Sequence, residues 1–398
     1  MFLDRLLRRN PQLAAAAVAA HQSGAVLANT YLLDADAMQA NAATLAAEAK
    51  RHDLGVYYMA KQFGRNPDAC RAVVAGGLPS AVAVDLQGME ALVGNGLAVG
   101  HVGHLVQPHR GAEDTVVAAR PEVVTVFNEH VARRIGAAAV RAGADQAVLL
   151  RVHAPGDVFY FGHGGGFPLE EVVAAAKKVD AVPGVHVAGV TTFPCLLADK
   201  ALRKVVPTPN LKTLVAAAAQ LRAAGFEVSQ LNAPGTTSTG TLALLAEVGA
   251  THVEPGNALH GTTPLQLFDD GSPEIPAVVF VSEVSHLDGE DGYVLAAGYY
   301  ADKVLGDYRL SALVGHDEEA LGRRLPLDVA PDGAISYYAI LRGAASAGVT
   351  VGDTVVCCFR PQSFVTRART QAVFGLRTGD RRFGPRYDQE ARPVQGQS

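Results

Sequence analysis

The segment Tyr57-Tyr58-Met59-Ala60-Lys61-Gln62-Phe63-Gly64-Arg65 is the starting point for assigning the fold of this 398-residue chain. A single lysine ends a short, aromatic-rich apolar run and Gly64 follows soon after, as expected where a buried strand ends at a cavity. An ammonium group in such a place loses hydration, so its pKa falls and it becomes a nucleophilic amine suited to Schiff-base chemistry. The alternative from this segment alone is a surface lysine just beyond a strand end.

Strand and helix patterns alternate along the chain around this segment. Short apolar runs such as Ala147-Val148-Leu149-Leu150 alternate with Ala- and Leu-rich helical patterns, which gives about eight strand–helix units. Apolar runs without alternation are typical of strands buried on both faces, and such repeated units build a barrel of parallel strands. The sequence therefore predicts an α/β fold, a (β/α)8 TIM-type barrel over residues 26–271, which includes a strand at 30–33.

The two ends of the chain differ from the barrel pattern. Residues 2–22 carry a helical pattern that ends near Gly24, which predicts an N-terminal helical arm at 1–25. After Pro264, β-rich runs separated by turn residues replace the long helices. This change predicts a separate C-terminal β-domain over residues 272–398.

The composition favours a small-molecule partner. The 34 Lys+Arg and 39 Asp+Glu residues give a net charge of -5 without long charged runs, so we expect neither nucleic acid nor a membrane surface as partner. The cysteines lack metal-ligand spacing and include an adjacent pair, which favours a reducing, cytoplasmic location. They are Cys70, Cys195, Cys357 and Cys358. No signal start or spanning helix is predicted.

Small hydroxylated residues follow one of the late strands. The segment 235–240, Gly-Thr-Thr-Ser-Thr-Gly, lies between a predicted strand and a helix, where exposed amides and hydroxyls favour a phosphate. An ordinary helix cap is the alternative interpretation. The run Gly164-Gly165-Gly166 is either a second backbone cradle or a flexible turn; the turn is favoured, and the run matches no nucleotide-binding fingerprint.

Glu254 ends the last predicted barrel strand and is followed by Pro255-Gly256-Asn257. A structural salt bridge is one interpretation. Taken together with Lys61 and the phosphate-type segment, a second is favoured: a carboxylate that keeps a pyridine nitrogen protonated makes the ring an electron sink. His101, His104 and His109 are close in sequence, but no carboxylate or cysteine joins them at ligand spacing, so no metal site is predicted.

This ordered set of motifs resembles the fold type III pyridoxal-phosphate enzymes, the alanine racemase and ornithine decarboxylase group. The resemblance covers nearly the whole chain. Gly298-Tyr299-Tyr300-Ala301-Asp302 is similar to a racemase Gly-Tyr-Ala-Asp turn with one extra residue, and the strings GNALHGTTPL and FRPQSFVTR resemble the YhfX-like branch. The resemblance implies pyridoxal 5'-phosphate as cofactor and a homodimer with a shared active site.

The resemblance also implies roles for single residues. Lys61 would bind the cofactor covalently, and Tyr299 or Tyr300 of a second subunit would be the acid/base on the opposite face. Phe193 stands where a ring-stacking histidine is common, and Arg151 matches a basic residue near the ring. The implied cofactor-binding residues are Lys61, Arg151, Phe193, Thr236, Thr237, Ser238, Glu254, Gly256 and Asn257.

The reaction implied by the resemblance is amino-acid racemisation or epimerisation, with one departure from the racemase pattern. Racemases of this group place an arginine where this chain has Glu254, whereas the decarboxylases have Glu-Pro-Gly, so a decarboxylase or a D-amino-acid aldolase or lyase is the main rival. Two further functions would also suit the predicted barrel: a non-catalytic cofactor carrier and a metal-dependent sugar-phosphate enzyme. Arg151 and Arg360 are candidates to bind the substrate carboxylate, with Gln362 as a candidate hydrogen-bond donor.

Overall fold

The computed structural model describes residues 2–269, 271–296, 310–317, 321–331, 335–361 and 368–394. The helices are α1 (Phe2–Arg9), α2 (Pro11–Gln22), α3 (Ala35–Arg51), α4 (Pro67–Ala75), α5 (Leu86–Gly94), α6 (Glu113–Ala118), α7 (Glu129–Arg141), α8 (Val172–Asp180), α9 (Pro209–Ala223), α10 (Leu242–Glu247) and α11 (Leu265–Phe268). Short 3-10 helices cover Lys61–Phe63, Leu169–Glu171, Thr239–Thr241 and Asn257–His260. Within the described ranges no helix is long and apolar enough to cross a membrane.

The strands of the first two-thirds of the chain are β1 (Thr30–Asp34), β2 (Gly55–Met59), β3 (Ser80–Ala83), β4 (Ala98–Val102), β5 (Val123–Val126), β6 (Gln146–His153), β7 (Phe167–Pro168), β8 (Val185–Thr191), β9 (Leu196–Asp199), β10 (Lys204–Pro207), β11 (Gln230–Asn232) and β12 (His252–Val253). The remaining strands are β13 (Val278–Asp288), β14 (Asp291–Leu295), β15 (Ser311–Gly315), β16 (Arg324–Asp328), β17 (Tyr338–Leu341), β18 (Thr354–Cys357), β19 (Arg369–Phe374) and β20 (Arg382–Tyr387).

Eight parallel strands close the predicted barrel, in the order β2-β3-β4-β5-β6-β8-β11-β12 and back to β2. Residues of β5 and β6 such as Val124 and Leu150 are fully buried, because a parallel barrel covers both faces of each strand. The barrel thus brings the carboxyl ends of all eight strands to one rim, which is where such folds place their chemistry. The predicted (β/α)8 fold with a C-terminal β-domain is confirmed.

The second sheet has the order β14-β17-β16-β15-β18-β13-β1-β19-β20. It includes β1, which runs antiparallel to β13 and parallel to β19. The prediction that the strand at 30–33 belongs to the barrel is therefore wrong. The start predicted for the barrel at residue 26 is too early, because the first barrel strand is β2.

The N-terminal arm packs on this second sheet. Leu6 and Leu13 share one apolar cluster with Leu32, Val281 and other residues of the sheet. The helical pattern over 2–22 forms two helices instead of one, because Pro11 starts α2. The side chain of Asn10, between the helices, donates to Asp34 Oδ2 at 2.8 Å and to the Pro276 carbonyl at 2.9 Å.

Candidate active site

A cavity opens at the carboxyl rim of the barrel, and Arg360 of the β-domain, a sequence candidate for binding the substrate carboxylate, also lines it. Seven of the predicted cofactor-binding residues meet there: Lys61, Phe193, Thr236, Thr237, Glu254, Gly256 and Asn257. Because these seven come from four different strand ends, only closure of the barrel brings them together.

Lys61 begins the 3-10 helix that follows β2, as the sequence predicted for a strand end. The next residue, Gln62, packs against Gly256, where an added Cβ would lie 2.8 Å from the Gln62 side-chain oxygen. Gly256 therefore permits close packing of the lysine segment against the turn that carries Glu254. Burial, together with the charges of Arg65 and Arg360, lowers the pKa of Lys61 to about 8, although Asp85 and Glu254 oppose the shift.

The depressed pKa of Lys61 predicts how cofactor capture depends on pH. The neutral amine is the nucleophile, so the rate of covalent capture of pyridoxal 5'-phosphate should rise about tenfold per pH unit below the pKa and level off above it. Stopped-flow absorbance of the apoprotein should show this plateau from a pH of about 8. A rate that keeps rising towards pH 10.5, the value for an ordinary lysine, would contradict the buried environment.

Glu254, directly after β12, is buried and held by polar partners. Its Oε1 accepts hydrogen bonds from His101 Nδ1 at 2.6 Å and from the Asn232 amide at 2.8 Å. The other ring nitrogen of His101, Nε2, is 2.6 Å from Thr125 Oγ1. Burial alone would raise the pKa of Glu254, but the facing imidazoles and the hydrogen bonds from His101 and Asn232 hold it below its usual range. Glu254 is therefore an anion at neutral pH.

The second oxygen of Glu254 differs from the first in lacking a hydrogen bond within the described structure. Glu254 Oε2 is buried and has no hydrogen-bond partner among the described residues, although it lies 3.3 Å from His104 Nε2. Burial lowers the pKa of His104 to about 3, so this ring is neutral, and its Nδ1 also lacks a partner. Buried polar atoms without partners are rare in proteins. An acceptor such as Oε2 fits a ligand that brings a protonated nitrogen.

His101, His104 and Glu254 also have the donor types of a metal centre, with ligand atoms within 4.8 Å of one another. Ligands of a tetrahedral zinc ion at about 2.0–2.1 Å lie about 3.3 Å apart. His101 Nδ1 and Glu254 Oε1 are closer than that, at 2.6 Å. This spacing fits a shared proton better than a shared metal ion, and the absence of a metal stays a prediction.

The loop after β11 brings hydroxyl groups to the cavity. Gly235 has a φ of +126°, and a Cβ added there would lie 3.0 Å from the backbone nitrogen of Cys195. Thr236, with a φ of 46°, adopts the left-handed conformation that is uncommon for a threonine. The buried Oγ1 atoms of Thr237 and of a further lining residue, Thr263, have no partner within the described part of the chain. Such hydroxyls fit the oxygens of a phosphate.

Ser238 and Arg151, both predicted to bind the cofactor, do not line the cavity. Ser238 is buried, and its backbone N–H donates to Thr241 Oγ1 at 2.9 Å. Tyr299 and Tyr300, predicted as acid/base residues, lie outside the described residues.

Arg151, predicted to lie near the ring, is fully buried but does not line the cavity. Its guanidinium donates to the carbonyls of His104, His163 and Phe193 at 3.3, 2.9 and 3.3 Å. The aromatic ring of Phe127 lies 5.0 Å from it. Arg151 therefore connects three cavity-wall segments through their backbone.

Sequence reasoning missed the lining roles of Tyr160, Gln62 and Thr263. The Tyr160 ring is 5.5 Å from that of Phe193, and the two form an aromatic wall. Burial raises the pKa of Tyr160, although Arg360 opposes the shift, so its hydroxyl keeps its proton at neutral pH. The segment Asp157-Val158-Phe159-Tyr160-Phe161 was a signal for this wall, since an aromatic-rich loop after a barrel strand lies at the rim.

The cavity fits pyridoxal 5'-phosphate on the chemistry of its donors and acceptors. It holds a half-buried lysine with a depressed pKa, together with one carboxylate oxygen and two hydroxyls that have no partner among the described residues. These groups correspond to the aldehyde, the ring nitrogen and the phosphate of the cofactor. Lys61, Glu254, Thr237 and Thr263 would hold these three parts.

Comparisons with known proteins agree with this fit. Residues 33–264 match the model of the alanine racemase N-terminal domain, and residues 279–383 match the YhfX-like C-terminal domain. The chain is 40% identical to the uncharacterized protein YhfX of Escherichia coli (strain K12) over 389 residues, which cover 98% of each chain.

Solved structures with the same fold include an aldolase, a dehydratase and a racemase. D-threonine aldolase from Filomicrobium marinum superposes with a TM-score of 0.64 at 19% identity, over 92% of this chain and 96% of that one. D-threo-3-hydroxyaspartate dehydratase from Delftia sp. HT23 superposes with a TM-score of 0.65 at 17% identity, over 89% of this chain and 96% of that one. Alanine racemase from Corynebacterium glutamicum superposes with a TM-score of 0.59 at 17% identity, over 82% of this chain and 88% of that one. The chain belongs to the pyridoxal-phosphate-dependent alanine racemase fold family, in its YhfX-like branch.

Proposed function

We propose that this protein is a pyridoxal-phosphate-dependent enzyme that acts at the Cα of an amino acid, as an amino-acid racemase or epimerase. The observation that carries the proposal is that Lys61 and Glu254, whose Oε2 has no hydrogen-bond partner among the described residues, line one cavity. When bound, the cofactor supplies a ring that accepts the electron pair left at Cα.

Four residues that line the cavity each have a role in the proposed reaction. Lys61 would hold the cofactor by its aldehyde group, and its Nζ would take the Cα proton of the substrate, because a pKa of about 8 makes the amine a base near neutral pH. Glu254 Oε2 would hold the proton on the ring nitrogen. The aromatic wall of Tyr160 and Phe193 would exclude water from one side.

Racemisation requires two acid/base groups, since the proton must return to the face opposite its removal. We propose that Tyr299 or Tyr300 of a second subunit supplies this group in a homodimer. The protonated hydroxyl of Tyr160 also lines the cavity and is a further donor for that step.

The second candidate function is a decarboxylase or a D-amino-acid aldolase or lyase, and Glu254 favours it. A carboxylate beneath the ring nitrogen keeps the ring cationic, and full delocalisation of charge suits bond cleavage as well as proton exchange. The carrier function is less favoured because Arg360 of the β-domain reaches the cavity, as a completed catalytic site requires. A cytoplasmic location is part of the proposal.

Exchange of the Cα proton tests the proposal. We expect the cofactor-loaded protein in deuterated water to exchange the Cα proton of at least one amino acid and to convert it to the other configuration, measured by proton NMR and chiral chromatography. Release of carbon dioxide or an aldehyde would favour the second candidate instead. If no amino acid exchanges its Cα proton, the proposed activity is wrong.

A further inference from the structure

Two cations, Lys61 and Arg360, line the described part of the cavity. Lys61 acts in the proposed function as a neutral amine, so it does not supply a fixed positive charge. Burial lowers the pKa of Arg360 to about 10, and the guanidinium therefore stays protonated at neutral pH. A fixed positive charge on the wall of a partly enclosed cavity attracts an anion more strongly than the same charge would in bulk water. An anion bound in this cavity is therefore stabilised by Arg360.

Arg360 is fixed against the turn that follows Glu254. In the amide orientation that satisfies both groups, Asn257 Oδ1 accepts from Arg360 Nε at 3.1 Å and from Nη2 at 3.3 Å. The Asn257 amide in turn donates to the Pro361 carbonyl at 2.9 Å. Arg360 follows β18 in the second sheet and is only 8% exposed. The β-domain therefore holds a cation in direct contact with the barrel turn.

The groups suited to a phosphate are neutral. Thr236, Thr237 and Thr263 offer hydroxyls, and Asn257 offers an amide. A phosphate ester, by contrast, carries a charge of about −1.5 to −2 at neutral pH. Charge-assisted hydrogen bonds from arginine to phosphate are stronger than those from neutral donors. Asn257 lines the same cavity as the threonines and accepts from Arg360, so the guanidinium is in direct contact with one member of this neutral set.

We propose that Arg360 is the counter-charge of the cofactor phosphate, so that the β-domain completes the phosphate site of the barrel. The inference rests on the proposed function, because it presupposes that pyridoxal 5'-phosphate binds here. Its consequence is selectivity for the phosphorylated cofactor. The rival role for Arg360 is binding the carboxylate of the substrate, which would leave the affinity for the cofactor unchanged.

Comparing two forms of the cofactor tests this assignment. We would measure the Kd of pyridoxal 5'-phosphate and of pyridoxal, which lacks the phosphate, for wild type, Arg360→Gln and Arg360→Lys by absorbance titration. Arg360→Gln should weaken binding of the phosphorylated form by about 10- to 100-fold, with little effect on pyridoxal. Arg360→Lys, which retains the charge without the fork geometry, should be intermediate. Arg381→Gln, an exposed substitution in the same domain, is the matched control.

The outcomes separate the rival roles of Arg360. Equal weakening of both forms would mean that Arg360 is structural, and unchanged cofactor binding with weaker amino-acid binding would assign it to the substrate; either result overturns the inference. If Arg360→Gln does not fold, the Kd values of Arg360→Lys are compared with those of the wild type. An Arg360→Lys variant that prefers pyridoxal 5'-phosphate over pyridoxal as strongly as the wild type does would contradict the proposal. A wild-type protein that binds neither form would instead refute the proposed function, and this inference with it.

Discussion

Replacing Lys61 with alanine should abolish covalent cofactor binding and lower the rate of Cα proton exchange by at least about 10²–10⁴-fold, the usual contribution of a positioned acid/base group. The loss follows from the structure because the lysine is both the proposed anchor of the cofactor and the proposed base. The measurements are the visible absorbance of the purified protein and the exchange rate by NMR. Noncovalent binding of the cofactor should persist, since the proposed phosphate and ring-nitrogen contacts do not involve Lys61.

The control for this variant is Lys50→Ala. Lys50 is an exposed residue near the end of α3 and does not line the cavity. Its replacement should leave both the absorbance and the exchange rate unchanged. If Lys61→Ala retains the visible absorbance of the wild type, the anchoring amine belongs to another residue.

Replacing Glu254 with glutamine should slow Cα proton exchange by about 10²–10³-fold, the usual effect of removing one electrostatic contact to a reacting group. Glutamine is nearly isosteric but cannot hold a proton on the ring nitrogen, so the ring accepts electrons less well. The variant should still bind the cofactor covalently through Lys61. Its loss should therefore be in kcat for exchange, while the visible absorbance band remains.

Glu122→Gln is the matched control, because it makes the same change at the amino end of the barrel. There Glu122 Oε2 accepts from the Tyr57 hydroxyl at 2.9 Å, and neither residue lines the cavity. This variant should exchange Cα protons at the wild-type rate. Equal losses in both variants would mean that the effect of Glu254 is on folding and not on the ring nitrogen.

The sequence was sufficient to predict the lysine–carboxylate pair because parallel strands place their carboxyl ends at one rim. Lys61 and Glu254 are far apart in the chain, yet β2 and β12 are neighbours when the barrel closes. The order of strand ends therefore specified which residues would meet. The hydroxyl loop after β11 was predicted for the same reason.

The strand at 30–33 was misassigned because it is buried on both faces, as barrel strands are. Leu32 packs into the cluster of the N-terminal arm, whereas Tyr31 and Leu33 belong to the main core. Its apolar run therefore cannot be distinguished from that of a barrel strand by pattern alone. Only the pairing with β13 and β19 assigns it to the second sheet.

The partners of Glu254 and the residues from outside the barrel strands were harder to predict. His101 lies within β4 and faces Glu254 from there, not from the loop after the strand. Tyr160 comes from a long loop and was missed, whereas Arg360 was a candidate from the sequence whose place in the cavity depends on how the two domains pack. No local periodicity specifies such positions, because they depend on how loops and domains pack.

The central claim is that the amine of Lys61 binds the cofactor aldehyde. The direct measurement is borohydride reduction of the protein loaded with pyridoxal 5'-phosphate, followed by proteolysis and mass spectrometry of the labelled peptide. The account predicts a single phosphopyridoxyl group on Lys61, in the peptide that contains Tyr58 and Phe63. A label on any other lysine, or no stable label at all, would contradict it.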